Sequence, residues 1–182
     1  TGIYLKNSRN NLVYNNEMLN LFVGLNLQYS ESNIIISNTI ENHLLDSPYG
    51  IGIDLSDSKN NIIVGNTIFR QDVGLAIEGS NQSVIYHNNL LNNTMQVWHY
   101  FSFDNRFDNG YEGNYWSDYE GVDADGDGIG DTPYTFQGYP RGQDNCPLIE
   151  NWSPLREYRR PMECEPQPDK TQKLYIFSNS TL

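Results

Sequence analysis

The chain repeats itself in a fixed register, and few folds can accept such a sequence. Aligning Gly2, Gly24, Gly52 and Gly74 gives spacings of 22, 28 and 22 residues. The same spacings recur at Ser8, Ser30, Ser58 and Ser80, and again at Asn16, Asn38, Asn66 and Asn88. A further column holds Asn11, Asn33 and Asn61, with Ser83 in the fourth copy. Three independent columns sharing one register are hard to produce by chance, and self-similarity at this period marks a solenoid or array.

Within each unit, two short runs alternate apolar and polar residues with period 2, which indicates strands rather than helices. Ile3 and Leu5, Leu25 and Leu27, Ile53 and Leu55, and Leu75 and Ile77 read as the inward set. Tyr4, Asn26, Asp54 and Ala76 read as the outward set. A unit of about 22 residues is too short to carry a helix, but it suits a coil of two or three short strands. Stacking coils at roughly 4.8 Å sets each Asn above its counterpart, where side-chain amides bond along the stack. Asn also tolerates left-handed turns. A regular use of this kind accounts for a chain with only 19% charged residues and yet a mean hydropathy of −0.62. The six extra residues of the second unit lie between Asn42 and Tyr49, include Pro48, and read as a surface loop. The expected architecture is all-β: a right-handed parallel β-helix of four to five coils.

After Asn88 the pattern loosens and aromatic residues accumulate in Asn114-Tyr115-Trp116-Ser117-Asp118-Tyr119. The last coil of a solenoid needs covering, and Trp116 with Tyr115 and Tyr119 would cover it. Then follows Asp123-Ala124-Asp125-Gly126-Asp127-Gly128-Ile129-Gly130-Asp131. Carboxylates at positions 1, 3, 5 and 9 and Gly128 at position 6 match a loop that wraps a hard cation in oxygen ligands. The Ile129 carbonyl would supply the position-7 ligand. Four carboxylates so spaced repel one another without a cation, and calcium is the expected one. Position 12 is Tyr134 rather than a bidentate Glu, so another group, Asp118 or Asp144, would complete the shell. The chain divides into coils and aromatic cap (1–119), calcium loop and cap segment (120–155), and a Pro-rich linker with a β-prone tail (156–182). That tail holds Lys173-Leu174-Tyr175-Ile176-Phe177, a strand able to add to its own solenoid or to a neighbour's.

Eleven basic against 23 acidic residues give a net charge of −12. Such a balance disfavours nucleic acid and anionic membranes as partners. No stretch approaches the roughly 18 apolar residues of a membrane span. The chain opens at Thr1, at the edge of a repeat, and reads as a processed piece of something longer. Cys146 and Cys164 either remain free thiols or close one loop of about 18 residues, a constraint on the order of 3 kcal/mol. Sequons at Asn81, Asn92, Asn151 and Asn179 suit an exported surface.

The run from Tyr86 to Leu148 adds a resemblance. Its motifs are Phe107-Asp108-Asn109-Gly110, Gly113-Asn114-Tyr115-Trp116-Ser117-Asp118-Tyr119, Asp125-Gly126-Asp127-Gly128-Ile129-Gly130-Asp131-Thr132-Pro133-Tyr134 and Asp144-Asn145-Cys146-Pro147-Leu148. It is similar to archaeal surface proteins with NosD-like β-helix repeats, which carry a domain described as carbohydrate-binding and sugar-hydrolase associated. The resemblance spans residues 1 to about 155. It implies a right-handed parallel β-helix and a cell-surface location in a methanogen-type archaeon. The family pattern carries an aromatic where this chain has Cys146, which supports a chain-specific bridge to Cys164.

The leading expectation is a calcium-stabilised structural protein of the cell envelope, in a surface layer, sheath, filament or adhesin, that self-associates or joins other envelope proteins. The structural positions are Asn16, Asn38, Asn66, Asn88 and Asn114, with Trp116, Cys146 and Cys164. The alternative is a carbohydrate-binding module of a larger surface protein or polysaccharide-active enzyme, with Tyr4, Tyr14, Tyr86, Trp98 and Tyr100 stacking on sugars. An enzyme is not expected. Asp54 and Asp57 are the close carboxylate pair on a coil, with Glu78 and Lys6 in neighbouring columns, and they form no recognisable catalytic pattern. Copper is disfavoured because His43, His87 and His99 fall in different columns. His87 aligns with Asn15, Ser37 and Gly65 and reads as a solvated turn residue. No Gly-x-Ser-x-Gly elbow occurs.

Overall fold

The computed structural model describes residues 1–42 and 50–154. The chain winds into a parallel β-helix, as the repeat predicts. Coil 1 holds β1 (Ile3–Lys6), β2 (Leu12–Tyr14) and β3 (Glu17–Leu19). Coil 2 holds β4 (Val23–Gln28), β5 (Ile34–Ile36) and β6 (Thr39–Glu41). Coil 3 holds β7 (Ile51–Ser56), β8 (Ile62–Val64) and β9 (Thr67–Phe69). Coil 4 holds β10 (Val73–Glu78), β11 (Val84–Tyr86) and β12 (Asn89–Leu91). Coil 5 has β13 (Met95–Tyr100), a single bridge from Arg106 to Val84, and β14 (Tyr115–Trp116). The cap supplies β15 (Tyr134–Phe136), β16 (Gly138–Tyr139) and β17 (Gly142–Asp144).

Three parallel sheets result, ordered β1-β4-β7-β10-β13-β16, β2-β5-β8-β11 and β3-β6-β9-β12-β14. The pairing register is the sequence register. Ile3 pairs with Leu25, Leu25 with Ile53, Ile53 with Leu75, and Leu75 with Val97. Leu25, Leu27, Ile53, Leu55, Leu75 and Ile77 are wholly buried, and Ile35, Ile63, Ile85, Ile40, Ile68 and Leu90 meet them from the other two sheets. Each such side chain contributes on the order of 1.5–3 kcal/mol by leaving water. Of the outward set, Ala76 departs from expectation. It is buried, because its small side chain lies between its column neighbours Asp54 and Trp98.

The glycine column has a steric cause. A Cβ on Gly52 would lie 2.5 Å from the Gly74 carbonyl oxygen and 2.4 Å from Ile68 Cγ2. Equivalent clashes with the next coil's carbonyl occur at Gly2, Gly24 and Gly74. At Gly24 and Gly52 the third-sheet Ile40 and Ile68 also occupy the space a Cβ would need.

The polar columns form ladders. Asn16 donates from its backbone N and its Nδ2 to Oδ1 of Asn38, each at 2.9 Å. Asn38 does the same to Asn66, Asn66 to Asn88, and Asn88 to Asn114. The Asn11–Asn33–Asn61 column repeats the scheme. In the serine column, backbone N of Ser8, Ser30, Ser58 and Ser80 donates to the next hydroxyl. Every corner thus satisfies backbone donors that burial would otherwise strand. The ladder asparagines are not themselves left-handed; that conformation belongs to the residues before them, Asn15, Ser37, Gly65 and His87 in one column and Asn10, Ser32 and Asn60 in the other, three of them asparagines.

The ladders run one coil further than the repeat suggested. Ser102 receives Ser80, and Asn105 receives Ser83. Both lie 22 residues on from the fourth copy, a signal the sequence contained. The Asn42–Tyr49 insertion lies largely outside the described residues, as does the Lys173–Phe177 tail.

Candidate metal centre and the capped end

The end of the solenoid is closed by aromatic side chains and by the acidic loop. Trp116 is buried against coil 5 and stacks on Tyr134 at 4.4 Å between ring centroids, with Phe107 and Phe136 beside it. Leu148 pairs parallel with Tyr115 on one side and antiparallel with Ile129 on the other. The buried Ile129 side chain therefore pins the acidic loop to the third sheet, with Gly130 N donating to the Pro147 carbonyl at 2.8 Å. Tyr119 passes close to Gly121 and Gly130 and donates to the Thr132 carbonyl at 2.6 Å. A Cβ at either glycine would collide with its ring.

On that pinned loop, ligand oxygens of Asp123, Asp125 and Asp127 lie within 4.8 Å of one another. The loop is wound by its own carboxylates. Asp123 Oδ1 accepts from Gly126 N and Asp127 N, and its Oδ2 accepts from Gly128 N at 2.9 Å. Asp127 Oδ1 accepts from Ile129 N, and Gly126 and Gly128 take positive φ as so tight a turn requires. Burial pushes the Asp127 carboxyl up, and neighbouring Asp125, Asp123 and Asp131 add to the rise against the Ile129 hydrogen bond. Asp123 moves down, because backbone donors outweigh its desolvation. Asp131 stands apart from the triple, with its Oδ2 accepting from Ala124 N at 2.9 Å. Hard, converging oxygens on a loop with this turn chemistry fit an alkaline-earth cation such as calcium. Asp123, Asp125 and Asp127 would hold it, with the Ile129 carbonyl and Asp131 the sequence's further candidates.

The two side chains expected to complete the shell are used otherwise. Asp118 accepts from Tyr134 Oη at 3.1 and 3.2 Å and from Gln96 Nε2 at 3.1 Å. Asp144 is wholly buried and terminates the asparagine ladder. Its Oδ2 accepts from Asn114 N at 2.7 Å, Asn114 Nδ2 at 3.3 Å and Trp116 Nε1 at 2.9 Å. Its Oδ1 accepts from Cys146 N at 3.0 Å. Burial raises its pKa to about 7 against the pull of these donors, and Asp108 adds a smaller push. Cys146 is buried and disulfide-bonded. The sequence's other cysteine, Cys164, lies outside the described residues.

Residues 1–121 match the family described as periplasmic copper-binding protein (NosD). The chain belongs to the NosD family. No curated protein matches it.

The copper of the NosD family's description finds no matching donor set in the described residues. His99 occupies the inward column of Leu27, Leu55 and Ile77, packed between Phe107 and Phe136 with Nδ1 bonded to the Pro140 carbonyl at 2.9 Å. Burial lowers its pKa, against the opposing pull of the Pro140 carbonyl. His87 is no solvated turn residue. Its Nε2 lies 2.7 Å from Glu112, and its ring stacks on Trp152 at 5.1 Å. Met18 belongs to the apolar core. His43 lies outside the described residues. Among those described, the Asp123–Asp125–Asp127 group is the one set of three His, Cys, Asp or Glu ligands close enough to share an ion.

The Asp54 region of this NosD-family chain shows no paired acid and base. Its oxygens accept from Asn26 and Ser56, burial raises its pKa, and the charge it senses is that of Glu78.

Proposed function

We propose that this NosD-family chain is a calcium-stabilised structural protein of the cell envelope that self-associates. The envelope meant is the archaeal kind that its cap motif resembles. The observation that carries the reading is the placement of the acidic loop. Three convergent carboxylates sit on a segment anchored to the last coil through Ile129 and Leu148. A cation there ties the cap to the solenoid, so its binding free energy becomes folding free energy. The disulfide at Cys146 favours an oxidising compartment outside the cytoplasm. Among the described residues no helix is long and apolar enough to cross a membrane.

Self-association rests on the outer face of the second sheet. Leu12, Ile34 and Ile62 share one column there and are exposed, forming an apolar stripe along the stack. A stripe of this kind suits contact with another copy. The test is particle mass by light scattering in millimolar calcium and then in excess chelator, paired with thermal unfolding. Large particles that fall to monomers on chelation, with a lower Tm, support the reading. A monomer in both conditions refutes self-association, and an unchanged Tm refutes the calcium role.

A further inference from the structure

The cap closes the solenoid unevenly. It adds β16 to the first sheet, beside β13, and Leu148 to the third, beside Tyr115. The second sheet stops at the bridge between Val84 and Arg106, and a cavity of about 680 Å³ lies on that end. In each earlier coil the amides of this corner point along the stack and donate to the coil that follows. Ser80 N reaches Ser102 Oγ at 3.0 Å, Gln82 N the Phe103 carbonyl at 3.1 Å, and Ser83 N Asn105 Oδ1 at 2.9 Å. The equivalent amides of coil 5 belong to Ser102, Asp104 and Asn105, which line or border the cavity. They meet no acceptor among the described residues, although Ser102 is wholly buried. The Ser102 and Asn105 carbonyls lie in the columns where those of Ser58 and Ser83 accept from Asn81 N and Arg106 N. Open donors and acceptors in this order are the edge of a sheet, and a buried unpaired amide is a costly one to leave.

The walls over this edge are held in place. Buried Asp108 accepts from Gly110 N on one oxygen and from Asn145 Nδ2 on the other, each at 3.0 Å, and so ties the 108–111 turn to the 140–145 segment. Asn109 Oδ1 accepts from Tyr111 N and Glu112 N, each at 2.9 Å, and fixes the turn itself. His99 Nδ1 meets the Pro140 carbonyl on the facing side. The groove is formed before any occupant arrives, which removes part of the ordering cost of binding. Two arginines line it. Arg106 lies 3.5 Å from Asp108, whereas Arg141 donates at 3.2 Å to the neutral Thr135 hydroxyl and meets no carboxylate among the described residues. Asp104, the other carboxylate of the lining, is exposed and therefore well screened.

The ladders themselves state what such an edge accepts. The serine-column amide is received by a hydroxyl oxygen, and three residues on, the next amide is received by a side-chain carbonyl. Where the third ladder leaves the repeat, its last amide, Asn114 N, is received by a carboxylate, that of Asp144. An occupant of the open edge must therefore be extended backbone with a hydroxyl and an acidic side chain three residues apart. The acid would answer the Arg141 charge, and the backbone would use the free donors and carbonyls as an added strand does. We infer that the groove between the second-sheet edge and the 140–145 segment binds an extended Ser-x-x-Asp segment of a partner protein. Its serine takes the Ser102 amide and its aspartate the Asn105 amide. This goes beyond the envelope-scaffold reading and does not depend on it.

The experiment titrates the full isotope-labelled chain, calcium present, with the peptide Thr-Val-Ser-Thr-Val-Asp-Thr-Val and follows backbone amides by NMR. Two control peptides run in parallel, one with the serine and aspartate a single residue apart and one with alanine at both places. The expected result is binding of the first peptide, with the largest amide shifts at Ser102, Asp104 and Asn105 and slowed hydrogen exchange there. The control peptides should bind about tenfold more weakly or not at all, the cost of one charge-assisted hydrogen bond. Arg141→Gln should weaken the first peptide about fivefold, while Arg9→Gln, an exposed arginine of the opposite end of the same solenoid, should bind like the parent. Both positions are exposed, so unchanged melting curves will show that the variants fold. The inference is overturned if no peptide binds, if the control peptides bind equally, or if Arg9→Gln loses as much as Arg141→Gln. Shifts confined to the Leu12–Ile34–Ile62 stripe would overturn it by placing the peptide on another surface. It is equally overturned if the Ser102 and Asn105 amides are already protected from exchange without peptide, because the chain's own residues then fill the groove.

Discussion

Replacing Asp144 by asparagine should remove a pH dependence from the stability of the whole solenoid. The carboxyl has no exposure to water, and burial holds its pKa near 7 against an ordinary value of 3.8. The folded chain therefore keeps a proton at this site over a range in which the unfolded chain has lost it. Stability from the site is fully present below about pH 4 and is lost as pH rises through about 7, where it levels off. A displacement of about three pH units, at about 1.4 kcal/mol each, corresponds to about 4 kcal/mol across that window. Asparagine is nearly isosteric and takes up no proton, so its contribution is flat. Its Oδ1 can still accept from Asn114 N and Trp116 Nε1, while its Nδ2 must face the Cys146 N–H that Asp144 accepts from at 3.0 Å. That donor-to-donor contact costs about 1–3 kcal/mol at every pH. Relative to the parent, Asp144→Asn should thus gain about 4 kcal/mol between pH 4 and pH 8. The assay is urea unfolding at intervals of half a pH unit, followed by tryptophan fluorescence, with calcium held at saturation. Subtracting the two profiles cancels the other carboxylates. Parallel profiles would refute the reasoning, because Asp144 would then hold the same charge throughout.

Three further outcomes follow from the same geometry. Asn66→Ala leaves the buried Asn38 N without its acceptor, while Asn38 Nδ2 keeps the Val13 and Ile36 carbonyls, and should cost about 1–3 kcal/mol in urea unfolding. Gly52→Ala drives a Cβ into the Gly74 carbonyl, a backbone atom that cannot move alone, and should cost about 2–3 kcal/mol by the same assay. Asp125→Ala should leave the metal-free Tm nearly unchanged, since Asp125 is exposed. It should nonetheless abolish the calcium-induced rise, which in the parent corresponds to about 2.7 kcal/mol at calcium a hundredfold above Kd. A calcium response that survives this substitution would place the ion elsewhere.

The fold was legible because its determinants are periodic. A glycine that must lie under the next coil's carbonyl, a serine or asparagine that must receive the previous coil's amide, and an inward leucine each recur at the coil length, so one register exposes all three. Where the contacts cease to be periodic, the reading failed. Asp144 looked like a spare calcium ligand because only its charge is visible in the sequence. Its role depends on Asn114 and Trp116, 30 and 28 residues earlier, which converge on it at the ladder's end. His87 looked solvated because its column is one of turn residues. It is covered because Trp152 and Glu112 fold back over that corner from outside the repeat. The acidic loop was legible as a local pattern, since Asx-type turns link residues only two to five apart. The repeat thus specifies the stack, and the features with chemical potential arise where non-repeating sequence closes over its last coil.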